Sequence, residues 1–122
     1  MPRAYRLYLA DIQTAITRIG SLMQHLDEAA FKKGDIQTDG ILFNLMTIGE
    51  AAKNIPQEIR ELLPEIDWIA IGRFRDLVVH HYFGLDMSKV WDIVQTDLPE
   101  LRGQIEKLLE LLKDADDGKE QS

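Results

Sequence analysis

The run RFRDLVVHHYFGLD, residues 73–86, gathers groups able to handle phosphate and protons into a short stretch otherwise built of core residues. The guanidinium of Arg75 stays charged and offers a planar fork to two phosphate oxygens. The imidazole of His80 or His81 titrates close to neutrality and can take or give a proton under ordinary conditions. Asp76 stands four residues before His80, the spacing at which a carboxylate on a helix can reach an imidazole, orient it and favour its protonated form. Tyr82 adds a phenolic hydroxyl. The same residue types also make up a solvated helix end, where Asp, Arg and His serve as surface ion pairs and partners of the C-terminal dipole. Spacing alone leaves both readings open.

At about 100° per residue, a helix through this run has three stripes. Ala70, Ile71, Phe74, Leu77, Val78 and His81 share the core face, which assigns His81 to packing as a neutral, hydrogen-bonded core histidine. Ile69, Arg73, Asp76 and His80 form the second stripe, and Trp68, Arg75 and Tyr82 the third. Arg75 and His80 therefore flank the helix. Bringing both to one phosphate needs a loosened helix end near His80, or long side chains converging on a groove. No metal site is expected: the chain has three histidines and no cysteine, H-E-x-x-H is absent, and adjacent helical histidines point about 100° apart. Glu50 reads as a capping or ion-pair carboxylate, with an approach to a cleft as the alternative.

The elements that must position these groups read as helices throughout. Tyr5, Leu9, Ile12, Ile16, Ile19, Met23 and Leu26 recur at spacings of four and three, a nearly heptad seam. Gly34 followed by Asp35 marks a helix stop and a new N-cap. A second seam runs through Ile41, Leu45, Ile48 and Ala52, with Gly49, Ala51 and Ala52 small enough to admit another helix closely. Pro56 opens a short helix, PQEIRELL, that Pro64 ends. Asp67 caps the helix carrying the opening run, and Gly84 and Asp86 punctuate its far end. A fifth helix starts near Met87 or Ser88, with Val90, Trp91 and Val94 buried and Pro99 kinking or restarting it. Leu98, Leu101, Ile105, Leu108 and Leu112 complete the last seam. The expected fold is all-α, an antiparallel bundle of about five helices, as one domain over 1–113 with an acidic disordered tail over 114–122. So short a bundle leaves apolar surface that pairing would bury, so a homodimer is expected.

With 122 residues, 45% hydrophobic and 29% charged, the chain has ordinary globular composition. A formal charge of −7 argues against a broad, non-specific nucleic-acid binder, so any chemistry on RNA must rest on a local cationic site. Arg3, Arg6, Arg73 and Arg75 are candidates to line it. The N-terminal stretch lacks the apolar core of a signal peptide and no run is long enough to span a bilayer, so cytoplasmic residence and no membrane partner are expected.

Arg75 to Tyr82 reads as R-x-x-x-x-H-x-Y with a polar residue directly after the arginine. Together with LMTIGEAAKNIP (45–56) and HHYFGLDMSKVWDIVQTDLPELRGQI (80–105), this resembles the HEPN superfamily, and more narrowly the HepT-like toxins of prokaryotic toxin–antitoxin pairs. The likeness covers about Tyr5 to Leu112. It implies a metal-independent endoribonuclease built as an all-α homodimer with two motifs facing across a shared cleft and no cofactor. By position, Arg75 and His80 become the catalytic pair, Asp76 the polar companion and Tyr82 the regulatory tyrosine. The implied partner is a minimal nucleotidyltransferase antitoxin that silences the toxin by attaching AMP to that tyrosine. His81 also satisfies a looser form of the pattern paired with Arg75, but Tyr82 fixes the register on His80.

RNA supplies its own nucleophile, the 2′-hydroxyl. Cleavage then needs a base, a donor for the leaving 5′-oxygen and positive charge at phosphorus, which a histidine and an arginine can provide. A rival reading makes the chain a non-catalytic helical binding partner of the nucleotidyltransferase, and a third makes it a plain structural bundle.

Overall fold

Aspartates set where four of the helices begin. Asp27 accepts from Ala30 N, Asp35 from Gln37 N and Thr38 N, Asp67 from Ala70 N, and Asp86 from Ser88 N and Lys89 N. Each carboxylate satisfies amides that have no partner inside the first turn. In the computed structural model, which describes residues 4–120 and side chains through 114, the order is α1 (Ala4–Met23), α2 (Glu28–Lys33), α3 (Ile36–Lys53), α4 (Gln57–Arg60), α5 (Trp68–His80), a 3₁₀ turn (Tyr82–Gly84), α6 (Met87–Asp92), a π segment (Ile93–Asp97) and α7 (Leu98–Glu120). No strand occurs among the described residues. None of these helices is long and apolar enough to cross a membrane.

The expected seams are the buried ones. Leu9, Ile12, Ile16 and Ile19 of α1, Ile41, Leu45, Ile48 and Ala52 of α3, and Leu98, Leu101, Ile105, Leu108 and Leu112 of α7 meet in one core. Helix α1 packs along α3, α3 along α5, and α7 touches α1. The first seam breaks sooner than its periodicity suggests: α1 stops at Met23, and Leu26 packs on the core from the turn beyond it. Helix α2 has no seam of its own and was absent from the sequence-based expectation. A single buried ring, Phe31, seats it against Trp91 at 5.4 Å between centroids, and the Phe31 carbonyl accepts from the buried Thr38 hydroxyl at 3.0 Å. Gly34 ends α2 with φ 77, a conformation that suits a residue without Cβ.

Pro99 acts one turn upstream. It has no N–H, and its ring would crowd the residue 95 carbonyl in a regular α-helix. The chain widens through Ile93–Asp97, where Leu98 N–H reaches back to the Ile93 carbonyl, and α7 then starts afresh. The helix runs on to Glu120, and the expected disordered tail over 114–122 falls almost wholly outside the described side chains.

Candidate active site

Helices α3 and α5 approach closely beneath the candidate arginine. A Cβ built on Gly49 would stand 2.2 Å from the Arg75 Cβ and 3.1 Å from the Ile71 carbonyl oxygen. Only a glycine at this point lets α5 lie so near α3. The small-residue stripe seen in the sequence therefore fixes where Arg75 leaves the helix.

From that crossing, Arg75, Asp76 and Tyr82 are tied to α3 in turn. Arg75 Nε lies 3.2 Å from Glu50 Oε2, and its Nη1 lies 3.1 Å from Asp76 Oδ1. The same Asp76 oxygen takes a hydrogen bond from Lys53 Nζ. Tyr82, past the helix end, donates its hydroxyl to Asp39 Oδ1 at 2.7 Å across 43 residues of sequence. Glu50 is thus the ion-pair carboxylate, and it reaches the candidate site by holding its arginine. The Lys53 bond first, and the Arg75 bond second, hold the Asp76 carboxyl below its ordinary range. The bond to Asp39, with partial burial and the charge of Asp39 adding to it, pushes the Tyr82 phenol up to about 12.

Two expectations from helical stripes need correction. His81 is not a core histidine. Helix α5 ends at His80, and His81 caps it with φ −132 and ψ 33, exposed to solvent. Leu77, on the same expected stripe, is 48% exposed, while Val78 is fully buried. The stripe assumed a helix continuing past His80. Its unwinding into the 3₁₀ turn swings the last residues off the core face. The choice of His80 over His81 therefore rests on the spacing to Tyr82, since both rings are exposed. In addition, Asp76 turns to Lys53 and Arg75 rather than to His80, because a charged amine and a guanidinium outcompete an imidazole for one carboxylate.

The loosened helix end needed for convergence is present at His80 itself. Leu77, His80, His81, Tyr82, Phe83 and Gly84 line an open hollow there. Within a single chain, however, arginine and tyrosine do not share one spot. Their α3 partners, Glu50 and Asp39, are eleven residues apart, roughly 16 Å at the helical rise of about 1.5 Å per residue. The Tyr82 oxygen is thus directed to Asp39, away from the carboxylate on α3 that holds the same chain's Arg75.

Around the hollow, apolar side chains face solvent. Phe83 is fully exposed, and Ile36 and Phe43, within about a turn of Asp39 on either side, are 85% and 61% exposed. A more enclosed recess of about 370 Å³ lies elsewhere, between α3, α5 and the start of α7. Its floor includes Leu45, Ile48, Ile71 and Phe74, and Glu65, Asp67, Asp97 and Glu100 stand on its rim. Four carboxylates with no base among the lining residues make it a poor host for a polyanion. Among the other expected cations, Arg73 is exposed on α5, the Arg6 guanidinium lies 5.6 Å from the Tyr5 ring, and Arg3 lies outside the described residues. Sequence reasoning missed Lys53 and Asp39. Neither has a local signal, since both meet their partners only through the α3–α5 packing.

The family described as ribonuclease HepT-like matches residues 12–108. A probable ribonuclease HepT from Thermococcus cleftensis is 38% identical over 108 residues, covering 88% of this chain and 98% of that protein. A gamma-glutamylcyclotransferase and putative RNase from Methanocaldococcus jannaschii is 32% identical, covering 92% of this chain and 50% of that protein. A putative RNase from the same organism is 30% identical over 92% of this chain and 97% of its own length. No solved structure gives a significant match.

Proposed function

The chain belongs to the HepT-like ribonuclease family, and from that membership we propose that it is a metal-independent endoribonuclease, the toxin of a toxin–antitoxin pair, silenced by AMP on Tyr82. The observation that carries the reading is the end of α5. There the helix stops at His80, leaves that imidazole exposed at a hollow that Tyr82 also lines, and holds Arg75 one turn and a half earlier against α3.

In the proposed reaction, His80 takes the proton of an RNA 2′-hydroxyl. That oxygen attacks the adjacent phosphorus, and the 5′-oxygen leaves with a proton from a second His80 or from water. Arg75 neutralises the charge that builds on the phosphoryl oxygens. Asp76 and Glu50 hold its guanidinium and keep one face of the fork from wandering. The two motif copies of a homodimer would supply two histidines and two arginines. The exposed apolar residues Ile36, Phe43, Leu77 and Phe83 support pairing on this side of the molecule.

AMP on the Tyr82 oxygen would fill the hollow that His80 lines and put a phosphate where substrate phosphate must pass. The antitoxin of this reading is a minimal nucleotidyltransferase. Intact mass of the chain co-expressed with such an enzyme is expected to rise in AMP increments mapped to Tyr82, and an unmodified tyrosine would remove the regulatory part.

One observation favours a second reading. Arg75 is already engaged by two carboxylates, as expected of a structural ion pair. On that reading the chain is a non-catalytic binding partner of the nucleotidyltransferase, and the unmodified dimer binds it tightly yet leaves RNA intact.

A further inference from the structure

We propose that Asp39 is the base that accepts the phenolic proton of Tyr82 when that hydroxyl attacks a nucleoside triphosphate. The inference rests on Tyr82 being the modified group. Its ground is one contact: a phenol and a carboxylate 43 residues apart, joined at 2.7 Å at the surface of the molecule. The Tyr82 ring is half-buried against the core and meets the Phe83 ring edge-on at 5.3 Å. The ring is thereby held while its oxygen stays within reach of a reagent. Asp39 sits in the first turn of α3, a rigid and capped element, so the acceptor is as well placed as the donor.

The chemistry needs such an acceptor. The phenolic oxygen bonds to the α-phosphorus of the triphosphate, and the bond from that phosphorus to the β-phosphate oxygen breaks. Pyrophosphate leaves with the electron pair, and the phenolic proton must go elsewhere. Before attack, Asp39 keeps the phenol neutral, with its ionisation pushed up to about 12. As the new bond forms, the oxygen loses electron density and its proton becomes strongly acidic. A carboxylate at hydrogen-bond distance then takes it without any rearrangement. The arrangement protects the hydroxyl until phosphorus arrives.

Asp39→Asn separates this role from a merely structural one, because an amide oxygen still accepts the phenol's hydrogen bond but cannot keep the proton. The full chain is incubated with a minimal nucleotidyltransferase and ATP labelled at the α-phosphate, with label on Tyr82 counted by mass spectrometry and Tyr82→Phe as blank. The expected result is a fall in kcat for transfer of about 10²-fold or more, an unchanged KM for ATP, and partial recovery in Asp39→Glu. Labelling of Asp39→Asn at the wild-type rate overturns the assignment and leaves the modification reading standing. A wild-type chain that takes no label overturns the modification reading, and this inference with it. Absorbance titration gives a second test: the Tyr82 ionisation near 12 should move toward the ordinary 10 in Asp39→Ala, which removes the acceptor altogether, and an unmoved titration overturns the contact itself.

Discussion

Asp76 shows how one carboxylate can serve both the fold and the site. It bonds to Lys53 and to Arg75, and its folded value lies below the ordinary 3.8. A group depressed in this way contributes stability that is fully present above 3.8 and is lost as pH falls through the lower folded value. Because the group is solvent-accessible, that contribution is small. Melting curves should therefore show Asp76→Asn slightly less stable than wild type near neutrality and equal to it in strong acid. A gap that persists in strong acid would assign the effect to packing. Tyr82 has the opposite sign: its folded value is raised, so the Asp39 bond stabilises fully below about 10 and is lost as pH rises through about 12. At this scale the sequence showed the motif residues and the ion-pairing character of Glu50, but not the partners Lys53 and Asp39. Arg75, Asp76, His80 and Tyr82 lie within eight residues and announce themselves by type. Lys53 and Asp39 come from another helix, and no spacing rule reaches across 23 or 43 residues.

Helix boundaries were legible at several caps and breakers, though the Asp27 cap of α2 went unread. Asp35, Asp67 and Gly34 do what their types require, and Asp35→Ala is expected to cost about 1 kcal/mol in a denaturant titration, since two amides of α3 lose their acceptor. His81 was misplaced because no residue after His80 signals the end of α5. Gly84 comes three positions too late, and the helix unwinds into the 3₁₀ turn before reaching it. The α3–α5 crossing makes a sharper prediction. Helix propensity alone would have Gly49→Ala stabilise by roughly 1 kcal/mol. The added methyl would instead meet the Arg75 Cβ at 2.2 Å, and overpacking of that kind typically costs about 1–3 kcal/mol. Net destabilisation by thermal melting is expected, with RNA cleavage falling more than helicity as α5 is pushed away. An unchanged or higher melting temperature would mean the helices can part freely.

For the molecule as a whole, the enclosed recess and the end of α5 differ in the groups that line them. Carboxylates rim the recess between α3, α5 and α7, whereas the end of α5 combines histidines and a tyrosine with apolar neighbours. Exposed Ile36, Phe43 and Phe83 at that end are surface a lone chain has no reason to keep in water. Sedimentation should give twice the chain mass, and Phe43→Glu should shift it toward one chain and lower cleavage along with it; a fully active monomer would dissolve the shared-cleft account. The all-helical class was readable from hydrophobic period alone, but the pairing of chains is a property of surfaces that periodicity does not describe. The central claim, proton transfer by His80 without a metal, is tested most directly by incubating purified chain with RNA in EDTA. Wild type is predicted to cut, and His80→Ala to stay folded by circular dichroism while cutting about 10²–10⁴-fold more slowly. Undiminished cutting by His80→Ala, or loss of wild-type cutting in EDTA, would contradict it.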